Sequence, residues 1–514
     1  MDNITRAKMR VHGVRMVAAL AIAAAVCPAC RSGRMPEPAL RPAEGPGVGG
    51  GPPPAAASAF AAHAELGRLG RRFPVSVWPG FRPDTMPFVY WFESGLLLVN
   101  PPSPLPQGFA PLAGPVPAAW RRFAPGVDPL EGIDPPTVTS NALGPDTASV
   151  YAVAAHEAFH TFVFGRAVAG RRFGRGEDNN VAPDYPLFDA DNETDFAVEA
   201  RLLRAALAAA DRESRLRLTR RFLAVRQARQ SRMGAEIVGY EVAAELNEGL
   251  AHYVELRSLS AGSADPSFRW PGAAAAARRR LMIRLEILTR QEQGGARVRF
   301  YRTGAAMGLL LDRLGDSSWK ERLEREDVSL QDALGAAVAY RDDDALTLVR
   351  EAFDAAGRDT VAAAVAAYAS GLRARRQRLA DSALAGDGLL VQLDASAIAG
   401  SELRLCSYDP NRVFQTATGV VLHLSRVRLC SQDLYDASFT TPVLQSRRPG
   451  LARSVIGSPD AVRLSAAGTL AGLADGSRLV GASDVRIAAP GFELRARRAD
   501  VARVGRVLTI RLLP

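Results

Sequence analysis

Two histidines and a glutamate in the first half of the chain have the types and the spacing needed to hold and use a metal ion. Residues 155–160 contain the pattern His-Glu-x-x-His, with His156 and His160 four residues apart. Four residues is close to one helical turn, so both imidazoles project from one face of a helix. Glu157, beside the first imidazole, is placed to accept a proton from a water on that metal. We therefore predict Zn²⁺ ligands at His156 and His160, and a general base at Glu157.

This pattern is specific because histidine is rare in the chain. There are only six histidines in 514 residues, and a chance match is expected in under about 1% of such chains. No proline or glycine interrupts residues 148–164, which favours the required helix. The alternative is a pair of histidines that only pack on a helix.

A catalytic zinc site uses a third protein ligand and keeps one position open. Two acidic stretches downstream offer that ligand. The first is the run 245–255, which contains Glu248. The second is a predicted helix, 191–212, in which Glu199 is the main rival among four acids: Asp191, Glu193, Asp195 and Glu199.

The segment around Glu248 carries a resemblance to a known family. Residues 247–253 are Asn-Glu-Gly-Leu-Ala-His-Tyr, similar to the Asn-Glu-Gly-Phe-Ala-x-Tyr helix of the aminopeptidase N family of gluzincin metallopeptidases. The resemblance implies that Glu248 is the third zinc ligand. His252, one turn further, is a candidate alternative ligand or supporting residue, and a packed or exposed histidine is the other interpretation.

A second segment resembles the same family. Residues 301–304 are Tyr-Arg-Thr-Gly, followed by an apolar stretch, similar to the Tyr-x-x-Gly segment that precedes a long helix in these enzymes. The resemblance implies that Tyr301 donates a hydrogen bond to the oxyanion formed during hydrolysis. A tyrosine in a helical region that serves only packing is the alternative.

The chain departs from the family in two ways. The gap from His160 to Glu248 is much longer than in the aminopeptidases, and the Gly-x-Met-Glu-Asn motif that holds a substrate's free amine is missing from the sequence. The resemblance therefore covers roughly residues 148–323. It implies a hydrolytic core without aminopeptidase specificity.

The remaining sequence divides into regions of different composition, and the predicted fold class is α+β. A mainly helical domain is expected at 148–384, where alanine, leucine and arginine dominate, and the family resemblance implies that it is a zincin-like catalytic domain. Residues 58–147 are expected to form the small N-terminal sheet and associated part of that domain. Short alternating strands separated by glycine and aspartate predict a C-terminal β domain at 385–514.

The N-terminus predicts export. Residues 1–30 combine basic residues, a short apolar run and a small-residue end, as in a secretory leader. Ala29-Cys30 resembles a bacterial lipobox, although Cys27 stands where leucine is usual, so lipidation of Cys30 and a simple cleaved signal are both open. The proline- and glycine-rich residues 31–57 predict a tether. We expect a location in the bacterial cell envelope, periplasmic or anchored to the membrane through Cys30.

The cysteine usage agrees with this location. Cys406 and Cys430 are the only other cysteines, and an isolated pair in an exported chain predicts a disulfide, with two buried thiols as the alternative.

The net charge is +10, but the arginines are dispersed among acids on helical stretches. That pattern is typical of solvated helix faces, and we expect no nucleic-acid partner.

These features predict a zinc metallopeptidase with one Zn²⁺ per chain and a peptide or protein as substrate. Two other functions stay open. A non-catalytic envelope lipoprotein would use the same fold as a binding or scaffold module. A zinc hydrolase that acts on another amide, such as cell-wall material, would keep the metal and change the substrate.

Overall fold

The computed structural model describes residues 54–70, 77–92, 95–104, 109–111, 120–123, 138–141, 146–168, 171–172, 176–178, 180–288, 296–398, 403–409, 412–416, 420–431, 433–446, 449–471 and 473–514. The predicted leader, including Cys30, and the predicted tether as far as residue 53 lie outside the described residues. The first described helix begins at Pro54, so the last residues assigned to the tether are helical. Their alanine-rich sequence is compatible with that conformation.

The described residues form an α+β protein with helices in the first part and strands in the last. The helices are α1 (Pro54–Leu69), α2 (Thr147–Gly165), α3 (Ala190–Ala208), α4 (Arg212–Gln230), α5 (Ala235–Ala244), α6 (Leu250–Ser263), α7 (Ala273–Glu286), α8 (Arg297–Leu314), α9 (Trp319–Arg325), α10 (Leu330–Ala337), α11 (Ala345–Ala356) and α12 (Arg358–Ala383). The single helix predicted over residues 191–212 ends at Ala208. The break occurs because the Asp211 side chain caps α4 by accepting a hydrogen bond from the Ser214 N–H.

The strands fall into a small N-terminal set and a large C-terminal set. They are β1 (Phe88–Phe92), β2 (Gly95–Val99), β3 (Phe109–Pro111), β4 (Trp120–Phe123), β5 (Val138–Asn141), β6 (Ala167–Val168), β7 (Arg171–Arg172), β8 (Leu389–Asp394), β9 (Leu405–Tyr408), β10 (Val413–Gln415), β11 (Val420–His423), β12 (Val427–Ser431), β13 (Tyr435–Phe439), β14 (Val443–Ser446), β15 (Leu451–Ile456), β16 (Arg463–Ala466), β17 (Thr469–Ala471), β18 (Arg478–Ala489), β19 (Phe492–Val504) and β20 (Val507–Leu512).

The N-terminal sheet has the strand order β3-β4-β2-β1-β5. Strand β1 pairs antiparallel with β2, with Phe88 opposite Val99, and parallel with β5, with Phe88 opposite Val138. The sheet shares one hydrophobic core with the helices. That core joins side chains of α1, the sheet, α2, α3 and α8, among them Leu66, Phe88, Val138, Phe159, Leu203 and Leu310.

In the described part of the chain, the C-terminal sheet has 13 strands and a hydrophobic core of its own. Its main path is β10-β11-β14-β15-β8-β20-β19-β13-β12-β9, and β18, β16 and β17 branch from β19. Burial alternates along β8 and β13, as expected for strands with one face on a core. A disulfide joins Cys406 in β9 to Cys430 in β12, with the Cα atoms 5.8 Å apart. These two strands are neighbours in the sheet. The disulfide therefore links the edge strand β9 covalently to the adjacent strand β12.

Helices α5 and α6 form one continuous helix that contains a π turn, Glu245–Gly249. Within it the Leu250 N–H bonds to the Glu245 carbonyl, five residues back. Helix α8 crosses this turn at two glycines. A Cβ on Gly249 would lie 2.6 Å from the Gly304 Cα and 2.9 Å from the Phe300 carbonyl oxygen. The absence of side chains at Gly249 and Gly304 therefore allows the two backbones to touch.

A buried network of charges ties α3 and α4 to α5 and the π turn. Arg229 donates to Glu199 and to Glu241, both at 2.5 Å, and Arg226 donates to Glu241 at 2.8 Å and to Glu245 at 2.6 Å. All five side chains are buried. The group holds three carboxyls and two guanidiniums, so its charges balance only when one carboxyl keeps a proton. Consistent with this, burial raises the pKa of Glu245 to about 7, against the opposing effect of Arg226.

Among the described residues, no helix combines the length and the apolar character required to cross a membrane.

The close contact at Gly249 predicts a size limit at this position. Gly249→Ala is expected to destabilise the protein by about 1–3 kcal/mol, because the added methyl meets backbone atoms that cannot rotate away. Gly239→Ala is the matched control: Gly239 is an exposed residue of α5 with open space around its Cβ position. That change is expected to be neutral or to stabilise by up to about 1 kcal/mol. Equal unfolding free energies for the two variants in denaturant titrations would contradict the prediction.

The buried network predicts a pH dependence of stability. Glu245 keeps its proton to higher pH in the folded protein than in the unfolded chain. The stability that Glu245 contributes is therefore greatest below the ordinary glutamate pKa of about 4.5 and is lost as pH rises through about 7, by at most about 1.4 kcal/mol per pH unit. Glu245→Gln, which mimics the protonated form, should flatten this slope between pH 5 and 8. Urea midpoints that decline equally in both proteins would overturn the assignment.

Candidate metal centre

The His-Glu-x-x-His pattern lies in the middle of α2. The helix begins where the Asp146 side chain accepts a hydrogen bond from the Ser149 N–H at 2.7 Å, which satisfies one of the donors left unpaired at a helix start. His156 is buried and His160 is partly exposed. The two side chains project from one face of the helix, as their spacing requires.

Three donor atoms meet in front of this helix face. The Nε2 atoms of His156 and His160 are 3.2 Å apart, and each lies 3.4 Å from Oε2 of Glu248. Among the described residues, these three side chains are the one group of three or more His, Cys, Asp or Glu with ligand atoms close enough to share an ion. The structure thus brings together His156, His160 and Glu248 from α2 and the π turn.

The spacing of these atoms fits a tetrahedral zinc ion. Zinc bonds to nitrogen and oxygen of about 2.0–2.1 Å, at tetrahedral angles, place neighbouring ligand atoms about 3.3–3.4 Å apart. The three measured separations, 3.2, 3.4 and 3.4 Å, lie close to that value. Two imidazoles and a carboxylate are also donors that zinc accepts, and three of them leave a fourth position for water.

The carboxylate of Glu248 stays ionised although it is buried. Burial alone would raise its pKa, but Arg297 and His160 hold the pKa of Glu248 well below its ordinary value. Arg297 donates to its Oε1 atom, the oxygen that does not face the histidines. An ionised carboxylate is the form that binds a metal.

A second carboxylate lies behind His156. Glu255 Oε2 lies 3.6 Å from Nδ1 of His156 and 3.0 Å from Nδ1 of His252. Burial would raise the pKa of Glu255, but the two histidines hold it well below its usual range. A carboxylate on the far nitrogen of a ligand histidine orients the ring and increases its basicity.

His252 contacts Glu255, the carboxylate that lies behind His156. Its Nδ1 atom meets Glu255 and its Nε2 atom meets Arg302 at 2.8 Å, so both ring nitrogens have partners other than the candidate ligands. Burial lowers the pKa of His252. The position supports the Glu255 carboxylate and does not offer a fourth metal ligand.

Glu199, the rival third ligand, does not join the group. Its carboxylate is bound by Arg229 in the buried network. The sequence placed Glu199 on a helix correctly, but the pairing with an arginine 30 residues later depends on how α3 packs against α4. Its acidic neighbours Glu193 and Asp195 are likewise paired with arginines, Arg299 and Arg232.

Tyr301 and Glu157 flank the candidate ligands. The ring of Tyr301 stacks on His156, with the centroids 5.9 Å apart, and its hydroxyl accepts a hydrogen bond from Arg297 at 2.9 Å. Tyr301 lies in the first turns of α8 and not ahead of a helix, because α8 already begins at Arg297. Glu157 is partly exposed beside His156.

Three charged residues near the site were not predicted from the sequence: Glu255, Arg297 and Glu177. Glu255 follows Glu248 by seven residues and His252 by three, a helical spacing that could have been noticed. Arg297 precedes Tyr301 by four residues in the same way. Glu177 comes from the polar loop before α3 and binds Arg297 at 2.6 Å, and no sequence signal marked it.

The C-terminal sheet borders this loop. The Asn180 side chain accepts a hydrogen bond from the Leu405 N–H of β9 at 2.8 Å, and Gln415 of β10 donates to the Tyr185 carbonyl at 2.7 Å. Burial raises the pKa of Tyr408 in β9 to about 12, and Arg297, Glu177 and Glu248 are the charges that act on it. The strand edge therefore lies close to the candidate metal centre.

Comparisons with protein-family models, with curated proteins and with solved structures give no match for this chain. The resemblance to the aminopeptidase N family therefore rests on the sequence motifs.

The contact between Glu255 and His156 predicts a role in metal affinity. Glu255→Gln removes the negative charge behind the imidazole while it keeps the side-chain shape. The variant is expected to bind Zn²⁺ about 10- to 100-fold more weakly in a chelator competition. Glu236→Gln, which changes an exposed glutamate of α5, should leave the affinity unchanged. Equal zinc affinities for both variants would mean that Glu255 serves only packing.

Proposed function

We propose that this protein is a zinc-dependent peptidase in which His156, His160 and Glu248 hold one Zn²⁺. The observation that carries the proposal is the triangle of donor atoms, whose edges match those of a tetrahedral zinc site. The order of the ligands, two histidines on one helix and a glutamate on a later one, agrees with the gluzincin resemblance. A zincin-like catalytic domain belongs to the same proposal.

The chemistry follows from the side chains around the three ligands. Zinc in such a site lowers the pKa of a bound water to about 7 and polarises a carbonyl group. Glu157, on the helix turn between the histidines, accepts the proton of the attacking water and passes it to the leaving amine. Tyr301, stacked on His156, donates a hydrogen bond to the oxyanion of the tetrahedral intermediate, a contribution of about 3–4 kcal/mol in comparable sites.

The substrate is a peptide or protein in this proposal, and the site of action is the cell envelope. The leader-like residues 1–30 and the candidate lipidated Cys30 support export. The disulfide between Cys406 and Cys430 supports an oxidising compartment, since such bonds persist mainly outside the cytosol. The sequence lacks the Gly-x-Met-Glu-Asn motif that holds a substrate's free amine in the aminopeptidases. This favours a peptidase that does not require a free amino terminus on its substrate.

The proposal predicts different outcomes for the ligands and for the base. Wild-type protein lacking residues 1–53 should contain about one zinc per chain by elemental analysis. His156→Ala and Glu248→Gln should lose both zinc and hydrolysis of a peptide mixture followed by mass spectrometry. Glu157→Gln should retain zinc and lose turnover by about 100-fold or more, because only the proton acceptor is removed.

Two controls separate this proposal from its alternatives. Glu199→Gln should keep zinc, and loss of zinc in that variant alone would move the third ligand to α3. A wild-type protein that takes up no zinc after reconstitution would overturn the proposal of a zinc enzyme and favour a non-catalytic binding module. A protein with one zinc that leaves every peptide intact would direct the search to other amides, including cell-wall material.

A further inference from the structure

Arg297 joins residues of three separate segments beside the candidate metal. Its guanidinium donates to Glu248 of the π turn, to Tyr301 of its own helix and to Glu177 of the polar loop. We infer that Arg297 is a positioning residue that fixes Glu248 as a one-oxygen zinc ligand. The inference deepens the proposed function and rests on it, because it concerns how the proposed ligand is held.

The first step is that the two oxygens of Glu248 have different partners. Oε1 accepts a charge-assisted hydrogen bond from Arg297, whereas Oε2 lies 3.4 Å from each ligand histidine. Charge-assisted bonds are about twice as strong as neutral ones, so the carboxylate cannot easily turn. Oε2 is therefore the oxygen that would face a bound ion.

The second step concerns what one-oxygen ligation preserves. A carboxylate is able to bind a metal through one oxygen or through both. With both oxygens of Glu248 on zinc, two nitrogens and two oxygens would complete four positions. Binding through Oε2 alone would leave the fourth position for the attacking water, which hydrolysis requires. Arg297 therefore protects the open position by occupying Oε1.

The third step is that Arg297 is itself held in place. Glu177 binds it through two oxygens, to Nε at 2.6 Å and to Nη2 at 3.0 Å. Asn247, the residue before Glu248, donates to the same Glu177 at 2.6 Å. The guanidinium thus lies between two carboxylates, and its plane is fixed by paired hydrogen bonds. A lysine would keep the charge but lose this fork.

The fourth step links the same guanidinium to Tyr301. The Tyr301 hydroxyl accepts from Nη1 of Arg297 at 2.9 Å. A guanidinium only donates, and a phenol has a single proton, so the proton of Tyr301 must point away from Arg297. One arginine therefore sets both the ligand oxygen of Glu248 and the direction of the Tyr301 proton.

The test uses the metal as its probe, so that no substrate needs to be known. Wild-type protein, Arg297→Lys and Glu177→Gln are stripped of metal and reloaded with Zn²⁺ or Co²⁺. Arg297→Lys is expected to bind Zn²⁺ about 10- to 100-fold more weakly. Its Co²⁺ complex should also show a changed visible spectrum, since the second carboxylate oxygen would take the position of the bound water. Arg279→Lys, on the exposed face of α7, is the matched control and should behave as wild type.

The outcomes distinguish this inference from the proposed function. A wild-type protein that binds neither ion defeats both. A wild-type protein that binds Zn²⁺, with an Arg297→Lys variant of equal affinity and identical Co²⁺ spectrum, defeats the positioning role alone. Glu177→Gln loosens the anchor without touching Glu248 and is expected to shift the spectrum in the same direction. If Arg297→Lys does not fold, the Glu177→Gln variant decides the question. A Co²⁺ spectrum of Glu177→Gln identical to that of the wild type would then overturn the inference.

Discussion

The contact between the backbones of Gly249 and Gly304 sets the distance between helix α8 and the π turn. Every polar contact between these two elements depends on that distance, because side chains of fixed length must span it. Thr303 reaches Glu245 and Arg297 reaches Glu248 only when the helices touch. The position of Arg297 beside the candidate metal centre is therefore a consequence of packing between two residues that carry no side chain.

The region around this contact is unusual in the number of charges that it buries. Glutamates of α3, α5 and the π turn face arginines of α4 and α8, where an ordinary helical domain would place leucine. A buried charge is tolerated only when it is paired and hydrogen-bonded. These pairs fix which face of each helix turns inward more strictly than apolar contacts would. That rigidity suits a site whose donor atoms must keep separations close to 3.4 Å.

The sequence predicted those features that depend on local spacing. The helix with His156 and His160, the small N-terminal sheet and the strand-rich C-terminal part all follow from short-range patterns. The position of Glu248 came from a family resemblance and not from spacing. The pairing of Glu199 with Arg229, and the arrival of Glu177 at Arg297, depend on packing between distant segments. Nothing in the local sequence of Glu177 distinguishes it from any other loop acid.

The extra residue in the π turn changes the direction in which the later side chains of this helix point. Glu241, Glu245, Glu248, His252 and Glu255 succeed one another at intervals of four and three, which would align them along one stripe of a regular α-helix. The π turn holds one residue more than an α-turn and rotates the residues after it by up to about 100°. Glu245 can thus serve the buried arginines while Glu248 turns to the histidines. Deleting Leu246 from this turn would keep the helix and all five of these acidic and histidine side chains, yet point the carboxylate of Glu248 in the wrong direction.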